Sequence, residues 1–268
     1  MPRSYYSENA QIFLQDNSNN IMGKLLQNDP YSTLLDQKNA WRQQIEILQK
    51  ELKSIPFDRI LFEYTIPRMG RRIDNVVFYK GVVYLLEFKV GETKYKNADL
   101  KQAEGYALDL KYFQEGSRNR KLVPILISTE AEDYQNEIEL EEDVCRPLRA
   151  NAFNLQQVIL QAAEKFNEDD IDSISWENSP YNPTPTIIEA GQALYANHKV
   201  DEITRQDSIG KTFTQTSRAI DKIIMESKRD SKKSIIFLTG IPGSGKTLVG
   251  LDIASRYQNV EDKEHAVY

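Results

Sequence analysis

Asp74 lies in "RRIDNVVFY" (71–79), and Glu87 and Lys89 lie in "VVYLLEFKV" (82–90), two runs of β-branched and aromatic residues. Side chains alternate along a strand, so Glu87 and Lys89 share a face with Val83 and Leu85, while Tyr84, Leu86 and Phe88 take the other. Both faces are largely apolar, which marks a central strand, and charges there are costly unless they meet a metal or each other. Two carboxylates are the hard oxygen ligands that Mg²⁺ takes, in small number and with waters retained. The backbone carbonyl of Phe88 offers a third oxygen. A cation held there neutralises charge on a phosphate and lowers the pKa of an attacking water, which Lys89 is placed to orient. The expected chemistry is phosphodiester hydrolysis with Mg²⁺ or Mn²⁺. By the same alternation Arg72 shares the face of Asp74 and could meet a phosphate.

A second constellation is "GIPGSGKT" (240–247), in which Gly240, Gly245, Lys246 and Thr247 fit G-x-x-x-x-G-K-[ST]. An apolar run, Ile235 to Thr239, precedes it as an expected strand, and Leu248, Val249, Leu251 and Ile253 follow with helical spacing. Gly240, Gly243 and Gly245 let backbone N–H groups turn toward phosphates at the helix start. Lys246 would reach the β- and γ-phosphates, and Thr247 would ligate Mg²⁺. The expected ligand is ATP with Mg²⁺. Hydrolysis needs further carboxylates from later strands, and none ends an apolar strand in "SRYQNVEDKEHAVY". The expectation is therefore the start of a nucleotide-binding domain without sustained ATPase or helicase activity of its own.

The elements that must position these residues are legible in outline. The N-terminal third looks helical, with Trp41, Ile45, Leu48 and Leu52 at helical spacing before Pro56. Residues 57–67 read as a strand, and Lys80–Gly81 joins the next two as a hairpin. A helix is expected over 95–116, a buried strand over 121–129, a solvated acidic loop over 128–144 and a helix over 151–166. Within the expected helix Gln102 and Tyr106, four residues apart, share one face. "NSPYNPTPT" (178–186) reads as a joint between domains. The expected divisions are an N-terminal helical extension (1–35), a catalytic domain (36–177), and linker helices with the start of a phosphate-loop domain (178–268).

A net charge of −6 argues against a protein that coats nucleic acid through a broad basic surface, though not against a local basic groove. No run approaches a membrane span or a signal peptide. The single cysteine, Cys145, excludes an intramolecular disulfide and fits a reducing cytoplasm. His198 and His265 are isolated from any metal-ligand cluster.

"RRID…LLEFK", in the order helix, three strands, helix, strand, resembles the PD-(D/E)XK nuclease superfamily, with Asp74, Glu87 and Lys89 at its signature positions and Ile73 where a proline often stands. "QAEGY" is similar to the Q-x-x-x-Y element of the RecB-like branch, which implies that Gln102 and Tyr106 support the active site or contact DNA. Some members use an additional acid, for which Glu63 on the first strand and Glu46 or Glu51 on the preceding helix are candidates. With the phosphate loop behind it, the chain resembles bacterial fusions of such a nuclease to a Schlafen group 3-like DNA/RNA helicase. The resemblance implies an α/β, restriction-endonuclease-like core with extra helices, followed by a truncated strand–helix unit. It also implies a nuclease acting on DNA, with RNA as the alternative substrate. A nucleic-acid-binding module that does not cut is the competing reading.

Overall fold

The computed structural model describes residues 3–29, 35–67, 71–181, 207–240 and 246–257. The chain divides into two compact units, residues 1–181 and 182–268. It is a mixed α/β protein with an open, mixed sheet of eight strands and, among the described residues, eight α-helices.

The first unit opens with strand β1 (Tyr6–Asn9), helices α1 (Ala10–Gln15), α2 (Ser18–Asn28) and α3 (Leu35–Glu51), and strands β2 (Arg59–Ile66), β3 (Arg71–Tyr79) and β4 (Val82–Lys89). Helix α4 (Asn97–Phe113) and strand β5 (Leu122–Ser128) follow. Short strands β6 (Leu140–Glu141), β7 (Val144–Cys145) and β8 (Leu148–Ala150), then helices α5 (Leu155–Lys165) and α6 (Ser173–Glu177), complete it. The sheet runs β1-β2-β3-β4-β5-β7-β6, with β8 also paired to β5. Strands β1 to β4 pair antiparallel with one another, and β5 is parallel to β4. The N-terminal third is thus not wholly helical: Tyr6–Asn9 adds the edge strand to β2. Four residues are too few to show a period, and their role is set by the open edge they cover.

Two apolar layers enclose the sheet. Phe62, Val77, Tyr84, Leu86 and Phe88 pack under α1, α2, α3 and α5, while Leu61, Tyr64, Val76, Phe78, Val83 and Leu85 pack under α4 and Trp176 of α6. The expected division of faces on β4 is met, and β4 is buried along nearly its whole length between β3 and β5. Lys80 and Gly81 both have positive φ (49° and 72°), the conformation a two-residue hairpin requires. The acidic stretch 128–144 is held rather than free. Asn136 bonds Arg149 through both backbone groups, and Asp133 accepts from Asn151 and Asn154.

In the second unit α7 (Asp207–Arg229) and α8 (Lys246–Arg256) are joined by polar contacts. Arg256 pairs with Asp221 at 2.7 Å and with Asp252 at 3.0 Å, and Ser217 donates to Asp252 at 3.0 Å. The strand expected over 235–239 does not form, because among the described residues no strand lies beside it to accept its backbone groups. Residues 182–206, within the stretch where linker helices are expected, lie outside the described residues.

Candidate active site

Strands β3 and β4 pair outward as far as Asn75 and Leu86, so Asp74 and Glu87 occupy the next positions where the ladder stops. There the Asp74 side chain replaces a strand: its Oδ2 accepts the Phe88 N–H at 2.7 Å. A residue's N–H and C=O project to the same side of an extended strand, so the Phe88 carbonyl also lies on the Asp74 side of β4.

Glu87 is 4 % exposed. Its Oε1 accepts from Lys89 Nζ at 2.9 Å and from Gln102 Nε2 at 2.8 Å, whereas its Oε2 is buried without a partner. Gln102 also donates to the Tyr106 hydroxyl at 2.7 Å and accepts from Lys89 at 3.3 Å. The two helix residues expected to support the site are therefore in it, with Gln102 touching both Glu87 and Lys89. Asp99, one turn earlier on α4, lies 3.7 Å from Lys89. Sequence reasoning passed over Asp99; the signal was its place three residues before Gln102, on the same helix face.

The electrostatics follow from burial. Desolvation, then the charges of Glu87 and Glu63, push the Asp74 carboxyl well above the usual range, against the Phe88 N–H and Lys89. Burial likewise raises Glu87, opposed by Lys89 and reinforced by Asp99 and Glu63. For Lys89 burial acts downward, but the hydrogen bond and charge of Glu87, with Asp99 and Asp74, prevail and hold the ammonium above its ordinary value. Two desolvated carboxylates side by side, one with a buried oxygen that bonds nothing, form a donor set that a divalent cation would relieve. Among the described residues no three His, Cys, Asp or Glu side chains gather to hold a metal by themselves. A cation here would draw on Asp74, Glu87, the Phe88 carbonyl and water. That set suits Mg²⁺ or Mn²⁺.

Arg72 is placed differently from the expectation, and Glu63 is bonded to it. By register Glu63 stands across from Asp74, between the pairs Phe62–Asn75 and Tyr64–Ile73, but φ of 51° at Glu63 interrupts the ladder. Glu63 accepts from Trp41 Nε1 at 2.7 Å and pairs with Arg72 Nε at 3.1 Å; Arg72 donates to the Tyr5 hydroxyl and lies over its ring. Tyr5 and Trp41 belong to the layer under α3. Arg72 therefore turns away from the Asp74–Glu87 pair, because strand alternation breaks at this point. Burial raises the Glu63 carboxyl, against Trp41 and Arg72.

At the phosphate loop Lys246 Nζ bonds the Gly240 carbonyl at 2.8 Å, and Thr247 is exposed in the first turn of α8. Gly243 and Gly245 lie outside the described residues.

Compared with family models, with curated proteins and with solved structures, the chain matches none. Among the described residues no helix is long and apolar enough to cross a membrane.

Proposed function

We propose that the first unit is a metal-dependent nuclease of the restriction-endonuclease-like type, hydrolysing phosphodiester bonds of DNA. The observation that carries the reading is Glu87: a buried carboxylate with one oxygen on Lys89 and Gln102, the other unpartnered, beside Asp74 at the open end of a strand pair. The succession α3, β2, β3, β4, α4, β5 supports the core assignment. Asp74, Glu87 and the Phe88 carbonyl would hold Mg²⁺ or Mn²⁺. When bound, such a cation neutralises phosphate charge and acidifies a water. Lys89 supplies a fixed positive charge and N–H donors to orient water or phosphate, and Gln102, itself bonded to Tyr106, fixes the Glu87 oxygen that Lys89 shares. The second unit reads as part of an ATP-driven helicase, in which Gly240, Gly243, Gly245, Lys246 and Thr247 would form the cradle for Mg-ATP. The lone thiol of Cys145, buried, supports a cytoplasmic setting.

The test is a nicking assay with supercoiled plasmid, single-stranded DNA and RNA in Mg²⁺, Mn²⁺ or EDTA. Wild type is expected to cut DNA only with metal, and Glu87→Ala to be inactive. Equal cleavage by the variant, or cleavage that survives EDTA, refutes the reading. Retention of DNA without any cleavage by wild type favours the binding module instead.

A further inference from the structure

The break in strand alternation at Glu63 and Asp74 has a definite pattern. On β2, Leu61 and Tyr64 both face α4 although they are three apart, and between them Phe62 faces α3. Glu63, bonded to Trp41, faces α3 as well. On β3, Ile73 and Val76 both face α4, again three apart, and Arg72 reaches Tyr5 and Glu63 on the α3 side. Without the break, regular alternation from Leu61 and Val76 would send Glu63, Arg72 and Asp74 to the α4 face together. With it, Asp74 alone of the three remains beside Glu87.

The consequence is chemical. An arginine on the α4 face would be an internal counter-ion for Asp74 and Glu87, and its fixed charge would compete with any divalent cation for the same oxygens. A glutamate in the left-handed region costs on the order of 1–3 kcal/mol and persists only where its surroundings over-determine it. Here they do: the Trp41 indole N–H, the Arg72 guanidinium and, behind Arg72, Tyr5.

We infer that Glu63 is a positioning residue that captures Arg72 on the α3 side and so keeps the Asp74–Glu87 pair open to a divalent cation. The inference rests on the metal-site reading above and assigns Glu63 no contact with the metal.

The experiment is Mn²⁺ titration by calorimetry of the full chain, with circular dichroism to establish that each variant is folded. Glu63→Ala is expected to bind Mn²⁺ at least ~10-fold more weakly, the scale of effect seen when groups behind metal ligands are lost. Glu63→Ala/Arg72→Ala is expected to recover to within about threefold of wild type, a coupling between contacting residues that independent sites do not show. Unchanged affinity in Glu63→Ala overturns the inference, and so does a folded double variant as weak as the single one. Should Glu63→Ala fail to fold, Glu63→Gln keeps the Trp41 acceptor while giving up the charge that captures Arg72, and the same comparison with its Arg72→Ala partner is made. Failure of the metal site itself is read separately: wild type that binds no Mn²⁺, or Glu87→Gln that binds it as wild type does, removes the site rather than the role of Glu63.

Discussion

Saturation of the site with Mn²⁺ is expected to raise the thermal midpoint of the first unit, and the size of the rise can be worked out. In the apo protein, Asp74 and Glu87 are desolvated neighbours whose carboxyls are both pushed upward, and Glu87 Oε2 has no partner. A cation bound to the native state alone contributes RT ln(1 + [L]/Kd), about 2.7 kcal/mol at a hundredfold excess over Kd. For a unit spanning residues 1–181, each kcal/mol moves the midpoint roughly 2–4 °C, so the shift comes to about 5–11 °C. Glu87→Gln keeps the shape and an oxygen for Lys89 while removing the charge, so its midpoint should not respond to Mn²⁺. Scanning calorimetry of both proteins with and without Mn²⁺ gives the answer, with Ca²⁺ as a second hard cation. A wild-type midpoint unmoved by Mn²⁺, or an equal rise in Glu87→Gln, refutes the assignment of these carboxylates as ligands.

Two further predictions concern the scaffold. Gly81→Ala places a Cβ 2.3 Å from the Asp169 carbonyl oxygen and 2.8 Å from the Glu168 backbone at a φ of 72°, so both strain and displacement of the 168–169 segment enter. It should cost about 2–3 kcal/mol in urea unfolding, and Gly91→Ala, left-handed but with open space around it, distinctly less; equal losses would show that the close approach does not matter. Burial pushes the Cys145 thiol up to about 12 from an ordinary value of 9.0. The native state therefore holds this proton while the unfolded chain releases it. The stability linked to it is fully present below pH 9 and is lost as pH rises from 9 toward 12. Between pH 8.5 and 10.5 the stability of wild type relative to Cys145→Ala should fall by about 2 kcal/mol, and a difference that does not change with pH refutes the burial argument.

How far the site was legible in the sequence depends on how local each determinant is. Asp74, Glu87 and Lys89 stand on strands announced by runs of β-branched and aromatic residues and joined by a turn whose two residues both take positive φ, so the hairpin follows from a short stretch of chain. Gln102 and Tyr106 sit four apart on α4, and that spacing suffices to bring Gln102 onto Glu87 and Lys89 once the helix packs on the sheet. Regular alternation through Asp74 puts Arg72 on the wrong face. The reason it fails lies on another strand, at Glu63, and in residues as distant as Tyr5 and Trp41. The edge strand β1 was missed for a related reason: its four residues gain their conformation from pairing with Arg59–Phe62, not from any pattern of their own.

The same distinction between local and non-local determinants governs the phosphate loop. A helix satisfies its backbone within itself, so α8 forms where Lys246 and Thr247 begin it. A parallel strand satisfies its backbone only through neighbours, and "IIFLT" has none among the described residues, leaving Ile235 84 % and Phe237 85 % exposed. In the expected arrangement that strand anchors the loop from which glycine N–H groups point at the phosphates. With the strand unpaired, Lys246 Nζ rests on the Gly240 carbonyl, the residue where the loop begins. If the unit binds nucleotide as proposed, strands paired to 235–239 that cover Ile235 and Phe237 and hold Gly240 in place would be expected to raise its affinity.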